Sequence, residues 1–95
     1  MRIIQSRSFE KRIRHFHKQE KNILDQQVSA IAKNPGIGKE KCGELRGVFV
    51  HKFKIRATQY LLSYRLTHAG TLELIMIGPH ENYYRDLTNY LKTRQ

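Results

Sequence analysis

Phe49-Val50-His51-Lys52-Phe53-Lys54-Ile55-Arg56 is the stretch of this chain whose residue types and spacing point most directly to chemistry. Its strict alternation predicts a β-strand with two unlike faces. Phe49, His51, Phe53 and Ile55 fall on one face, which is apolar enough to be buried. Val50, Lys52, Lys54 and Arg56 fall on the other. Alternate residues of a strand stand about 6.6–6.8 Å apart, close to the spacing of successive phosphates along a nucleic-acid strand. Cations held on a strand are positioned more firmly than cations on a loose tail, as a phosphate-handling site requires. The rest of the chain reads as scaffold for this face, plus a few groups brought beside it.

Composition agrees with an anionic partner. Lys and Arg number 18 against 8 Asp and Glu, a net charge of +10 and a pI near 10.1. Such a balance favours nucleic acid, an acidic protein segment or a membrane surface. No apolar run approaches the length of a membrane-spanning helix, so no membrane partner is expected. Met1-Arg2-Ile3-Ile4-Gln5-Ser6 lacks the apolar core of a signal peptide, and a cytoplasmic location is expected. The single Cys42 allows neither an internal disulfide nor a multi-cysteine metal site, and the five histidines lack ligand spacing. No metal or other cofactor is therefore expected.

The elements that must position the cation face follow from pattern. Length predicts one domain over residues 1–95. Met1–Gln5 is β-branched and predicts a strand, after which Ser6 or Ser8 can cap a helix. Phe9, Ile13 and Phe16 form the apolar stripe of a basic helix ending near His17. A second helix runs from about Gln19 to Lys33 and stops at Asn34-Pro35-Gly36. Residues 35–47 are a loop by composition. After the cation strand comes a turn at Ala57-Thr58-Gln59 and a strand from Tyr60 to Leu66. A turn at His68-Ala69-Gly70-Thr71 leads to a more buried strand, Leu72–Ile77. A last helix spans roughly Asn82–Lys92, with Tyr83 or Tyr84, Leu87 and Leu91 inward. The order β-α-α-β-β-β-α predicts a small α+β domain. In it, an antiparallel meander is packed on one face by a helical hairpin and left open on the other.

The ordered set Leu45-Arg46-Gly47, His51-Lys52-Phe53-Lys54-Ile55-Arg56 and Tyr60-x-Leu62-x-Tyr64 resembles the RelE/ParE superfamily of bacterial toxin–antitoxin toxins. The ending Gly78-Pro79-His80-Glu81-Asn82-Tyr83-Tyr84-Arg85-Asp86-Leu87 is similar to one branch of it. The resemblance covers nearly the whole chain and implies a RelE-like fold and a toxin silenced by a co-expressed antitoxin. The RelE branch cleaves mRNA on the ribosome; the ParE branch inhibits DNA gyrase. Metal-independent RNA cleavage needs a base for the 2′-OH, cations for the phosphorane-like transition state and an acid for the leaving 5′-oxygen. Lys52 and Lys54 match the paired lysines of RelE-type toxins, implied to stabilise charge and share in proton transfer, and favour that branch.

By the same resemblance, His80 is the first acid/base candidate, because an imidazole exchanges protons near neutrality. Tyr84 joins it, while Arg46, Arg56, Arg65 and Arg85 are candidate RNA-binding groups. Such toxins often carry an arginine directly after the tyrosine matching Tyr60, where this chain has Leu61. Arg65, on the same strand face but about 13 Å away at β rise, is the candidate replacement. Each assignment has a plainer rival. Lys52 and Lys54 suit a solvated strand face, and His80 suits a helix cap. Tyr84 suits the core of the last helix, with Tyr83 then exposed. Glu81 suits a helix N-terminus, Arg85 a pair with Asp86 or Glu81, and His51 a satisfied core position.

The basic groups of the first helices, Arg7, Lys11, Arg12, Arg14, Lys18 and Lys21, are candidates for ribosomal RNA backbone or plain solvated surface. The expected partners are mRNA on the ribosome and an antitoxin contributing an acidic, partly disordered segment. Three functions follow: a ribosome-dependent endoribonuclease toxin, favoured; a gyrase-poisoning toxin; and a plain basic nucleic-acid-binding module.

Overall fold

In the computed structural model, which describes residues 2–67 and 69–93, Ser6 ties the first strand to the middle of the molecule. Strand β1 (Arg2–Gln5) ends where the Ser6 N–H donates to the Leu74 carbonyl at 2.9 Å and its hydroxyl donates to the Ile75 carbonyl. The same hydroxyl accepts the Phe9 N–H at 3.1 Å and so caps helix α1 (Arg7–Ile13). Helix α2 (Lys18–Lys33) follows, its start fixed by the His17 N–H donating to the Glu20 carboxylate at 2.7 Å. Phe16 lies beyond α1, in the link between the helices, and is buried there.

Strands β2 (Lys39–Glu40), β3 (Phe49–Ile55), β4 (Thr58–Leu66) and β5 (Thr71–Pro79) complete a five-stranded sheet of order β1-β5-β4-β3-β2. β1 is an edge strand parallel to β5, and every other pairing is antiparallel. The meander is thus extended at both edges. Met1 and His68, which the sequence reading placed in a strand and a turn, lie outside the described residues. The loop read over 35–47 contains β2 and short 3₁₀ turns at Pro35–Ile37 and Gly43–Leu45.

The expected open face is partly covered. Phe9, Phe16, Leu24, Ile31, Phe53, Ile55, Leu62, Tyr64, Leu72, Leu74 and Ile77 form the core beneath the helical hairpin. On the opposite face, helix α3 (Tyr83–Thr93) lays Tyr83 and Leu87 on Val48, Val50, Leu61 and Ile75. Two anchors hold α3 down. The Tyr83 hydroxyl donates to the Met76 carbonyl at 2.6 Å and lies 2.9 Å from Ser63 Oγ, while Leu87 is fully buried.

Those anchors are testable by denaturant unfolding. Leu87→Ala empties a fully buried site and should cost about 2–5 kcal/mol. Tyr83→Phe should cost only about 1 kcal/mol, because Ser63 Oγ, 3.3 Å from the Met76 carbonyl, remains as its donor. A Leu87→Ala chain as stable as wild type would show that α3 is not docked through this residue.

Candidate functional site

Register fixes the cation face. Phe53 and Ile55 are buried under the helical hairpin, so the alternation of β3 turns Lys52 and Lys54 to the opposite side, where both are exposed. Lys52 pairs with Leu61 and Lys54 with Gln59 on β4, and Leu61 pairs in turn with Gly78 on β5. Behind them, the half-buried His51 ring stacks on Phe53 and its Nε2 lies 2.7 Å from Gln27 Oε1, so the ring is satisfied at the edge of the core.

Arg56 does not continue this row. It begins the two-residue loop between Ile55 and Thr58 with φ 58, which takes it off the strand and out of register with Lys52 and Lys54. The turn therefore lies at Arg56-Ala57, earlier than its composition indicated.

The chain leaving β5 brings two more candidates to this face. His80 follows directly after Pro79, which pairs with Tyr60. His80 itself lies in the bend just beyond the end of β5 and is exposed. Its ring meets Tyr84 edge-on at 6.4 Å. Of the two tyrosines, Tyr83 is the core residue and Tyr84 is half-buried. Burial pushes the Tyr83 phenol far above its ordinary value, which removes it from acid/base work. Tyr84 keeps contact with the open face.

The structure does not bring the arginines together. Arg65 stands opposite Glu73 and pairs with it at 2.9 Å, four residues along β4 from Leu61. It is therefore held away from the paired lysines. Arg85 is exposed and 3.4 Å from Asp86. Arg46 is exposed and forms a β-bridge with Lys41. Lys41 was missed by sequence reasoning, although its Nζ sits 4.9 Å from the centre of the Tyr84 ring. It lies in a glycine-rich stretch that gives no periodic signal.

The site is an open surface. Cavities of about 330 and 240 Å³ open along α1 instead, both lined by Arg12 and His15. An exposed row of cations beside an aromatic and an imidazole suits a polymer with a charged backbone better than an enclosed small molecule. Among the described residues no helix is long and apolar enough to cross a membrane.

A family model described as the ParE-like toxin of type II bacterial toxin–antitoxin systems matches residues 3–88. Among solved structures, the chain is similar to the isolated E. coli RelE toxin, with a TM-score of 0.65 at 17% identity, covering 99% of this chain and 98% of that one. A double arginine-to-alanine mutant of RelE in the free state gives 0.71 at 16% identity, covering 98% and 95%. A chain of the intact E. coli RelBE toxin–antitoxin complex gives 0.67 at 18% identity, covering 84% and 96%. At these identities the likeness is one of fold. No curated protein matches the sequence.

The core backing of the lysine strand predicts a pH dependence. Burial lowers the His51 pKa from its ordinary 6.5. The unfolded chain then takes up this proton before the folded one, so the contribution is complete above 6.5 and is lost as pH falls toward the folded value. The denaturation midpoint should drop between about pH 7 and about pH 5, and drop less in His51→Gln. Equal pH profiles for the two chains would contradict the assignment.

Proposed function

This chain belongs to the ParE-like toxins of type II bacterial toxin–antitoxin systems, and from that premise we propose that it is a ribosome-dependent mRNA endoribonuclease. The observation that supports the reading is the exposed pair Lys52 and Lys54 on the sheet face on which α3 packs, with His80 meeting Tyr84 edge-on where the chain passes from β5 to α3. The RelE resemblance read from the sequence agrees with the fold of the solved toxins.

In the proposed reaction, the 2′-oxygen of one nucleotide attacks the adjacent phosphorus and the bond to the 5′-oxygen breaks. His80 takes the 2′-OH proton. The ammonium groups of Lys52 and Lys54 stabilise the extra negative charge, and Lys54 gives a proton to the leaving 5′-oxygen. Tyr84 contacts the reacting nucleotide beside His80. The products are a 2′,3′-cyclic phosphate and a 5′-hydroxyl, so the step consumes no water and needs no metal. Arg46, Arg56, Arg65 and Arg85 lie outside this group of four. Arg46 and Arg56 are the better placed to touch flanking RNA, since Arg65 and Arg85 are engaged by carboxylates. The basic residues of α1 supply a contact for ribosomal RNA backbone.

The partner that silences the toxin is an antitoxin, as the solved complexes of RelE with RelB support. An acidic segment that orders on binding would neutralise and cover the lysine face. The site of action is cytoplasmic, where mRNA is translated. A second reading, gyrase inhibition, is favoured by the family's ParE-like description. It would require neither lysine.

Primer-extension mapping of a cellular mRNA after brief induction separates the two. Cuts confined to translated regions are expected, reduced about 10²–10⁴-fold in Lys54→Ala and in His80→Ala. Intact transcripts, with growth arrest that persists in both variants and blocked supercoiling by gyrase, would establish the second reading instead.

A further inference from the structure

Four lysines, two of them with no role in the reaction above, share the sheet face that carries the site. Residues directly opposite in an antiparallel pair present their side chains to the same side. Lys39 pairs with Val50, whose side chain packs in the core beneath α3. The Lys41 N–H donates to the Val48 carbonyl at 2.9 Å, extending that pairing, and Val48 belongs to the same core. Lys39 and Lys41 therefore stand on the side of Lys52 and Lys54. From Lys52 to Lys39 is one strand across and two residues along, about 8 Å between Cα atoms. The four form a bent row whose steps, about 7–8 Å, suit consecutive phosphates of an extended strand.

The β2 edge is held in place for this. The Tyr64 hydroxyl donates to the Pro35 carbonyl and accepts the Gly38 N–H at 3.0 Å. A Cβ on Gly38 would stand 2.5 Å from that hydroxyl, so only glycine lets the loop lie so close. Lys39 follows at once. Lys41 is placed by its position over the Tyr84 ring. The neighbouring acids are turned away or occupied: Glu40 pairs with Phe49 and so faces the opposite side, and Glu44 meets Lys92 at 3.6 Å. Among the described residues, no carboxylate pairs with Lys39, Lys41, Lys52 or Lys54. Like charges gathered without counter-charges favour an anion that spans them.

We propose that Lys39 and Lys41 form a backbone-phosphate subsite for single-stranded RNA, which holds the nucleotides flanking the one cleaved at Lys52, Lys54, His80 and Tyr84. This extends the nuclease reading and rests on it for the position of the scissile bond, while RNA binding itself is separately measurable. A bent row with steps of one phosphate fits a nucleic-acid backbone. An acidic peptide strand carries carboxylates on one face at a similar pitch and is the rival to be tested.

The test is fluorescence-anisotropy titration of a short 2′-O-methyl RNA, which cannot be cleaved, across a range of salt concentrations. Wild type is compared with Lys39→Gln/Lys41→Gln and with the charge-matched control Arg2→Gln/Lys33→Gln. Each lost phosphate contact lowers the slope of log affinity against log salt by about 0.7 for a single strand, so the double variant should lose about 1.4 and the control nothing. Wild type that does not bind, a double variant that matches the control, or poly-glutamate that binds more tightly with the same lysine dependence would each overturn the subsite. Cleavage of mRNA by wild type is scored separately. Its absence, with the slope change intact, removes the nuclease reading and leaves an RNA-binding surface.

Discussion

The period-two alternation of β3 is the constraint on which the rest depends. Phe53 and Ile55 are buried beneath the helical hairpin, and their burial forces Lys52 and Lys54 outward. A slip of one residue would bury both ammonium groups and expose two large apolar side chains, a cost no surface contact could offset. The pairing of β3 with β4 therefore fixes the cations more firmly than any interaction of the cations themselves. His51, bonded to Gln27 and stacked on Phe53, adds a polar pin to the same register.

The second face works by partial coverage. Helix α3 packs on Val48, Val50, Leu61 and Ile75 and leaves Lys52 and Lys54 exposed. Tyr83 enters the core and Tyr84, one residue on, is left beside His80 and Lys41. Adjacent helical residues differ in direction by about 100°, so anchoring one tyrosine determines where the other points. The helix that covers half of the face thereby supplies a group to the other half.

Much of this was legible in the sequence. The alternation of 49–55 gave both faces of β3, and the order β-α-α-β-β-β-α gave the fold. Other features depended on tertiary contacts that pattern does not carry. The amphipathicity of α3 was readable, but which sheet face it covers depends on the turn after Pro79. The stripe Tyr83, Leu87, Leu91 was readable at a spacing of four, yet Tyr84 fits nearly as well, and only the Ser63 and Met76 partners separate the two. β2 is two residues long and sits in a glycine-rich loop, so Lys39 and Lys41 gave no strand signal. Arg56 adopts positive φ without being Gly, Asn or Asp, so the hairpin turn carries none of the usual markers. The pairing of Arg65 with Glu73 depends on register across two strands.

The most direct test is the chemistry of the ends produced when this chain cuts a translated mRNA. A 2′,3′-cyclic phosphate on the upstream fragment and a 5′-hydroxyl downstream are predicted. A single 2′-deoxynucleotide at the cut position should then abolish cleavage, since the attacking oxygen is gone. A 3′-hydroxyl with a 5′-phosphate, or undiminished cleavage at the deoxynucleotide, would contradict in-line attack by the 2′-oxygen and with it the roles given to Lys52, Lys54 and His80.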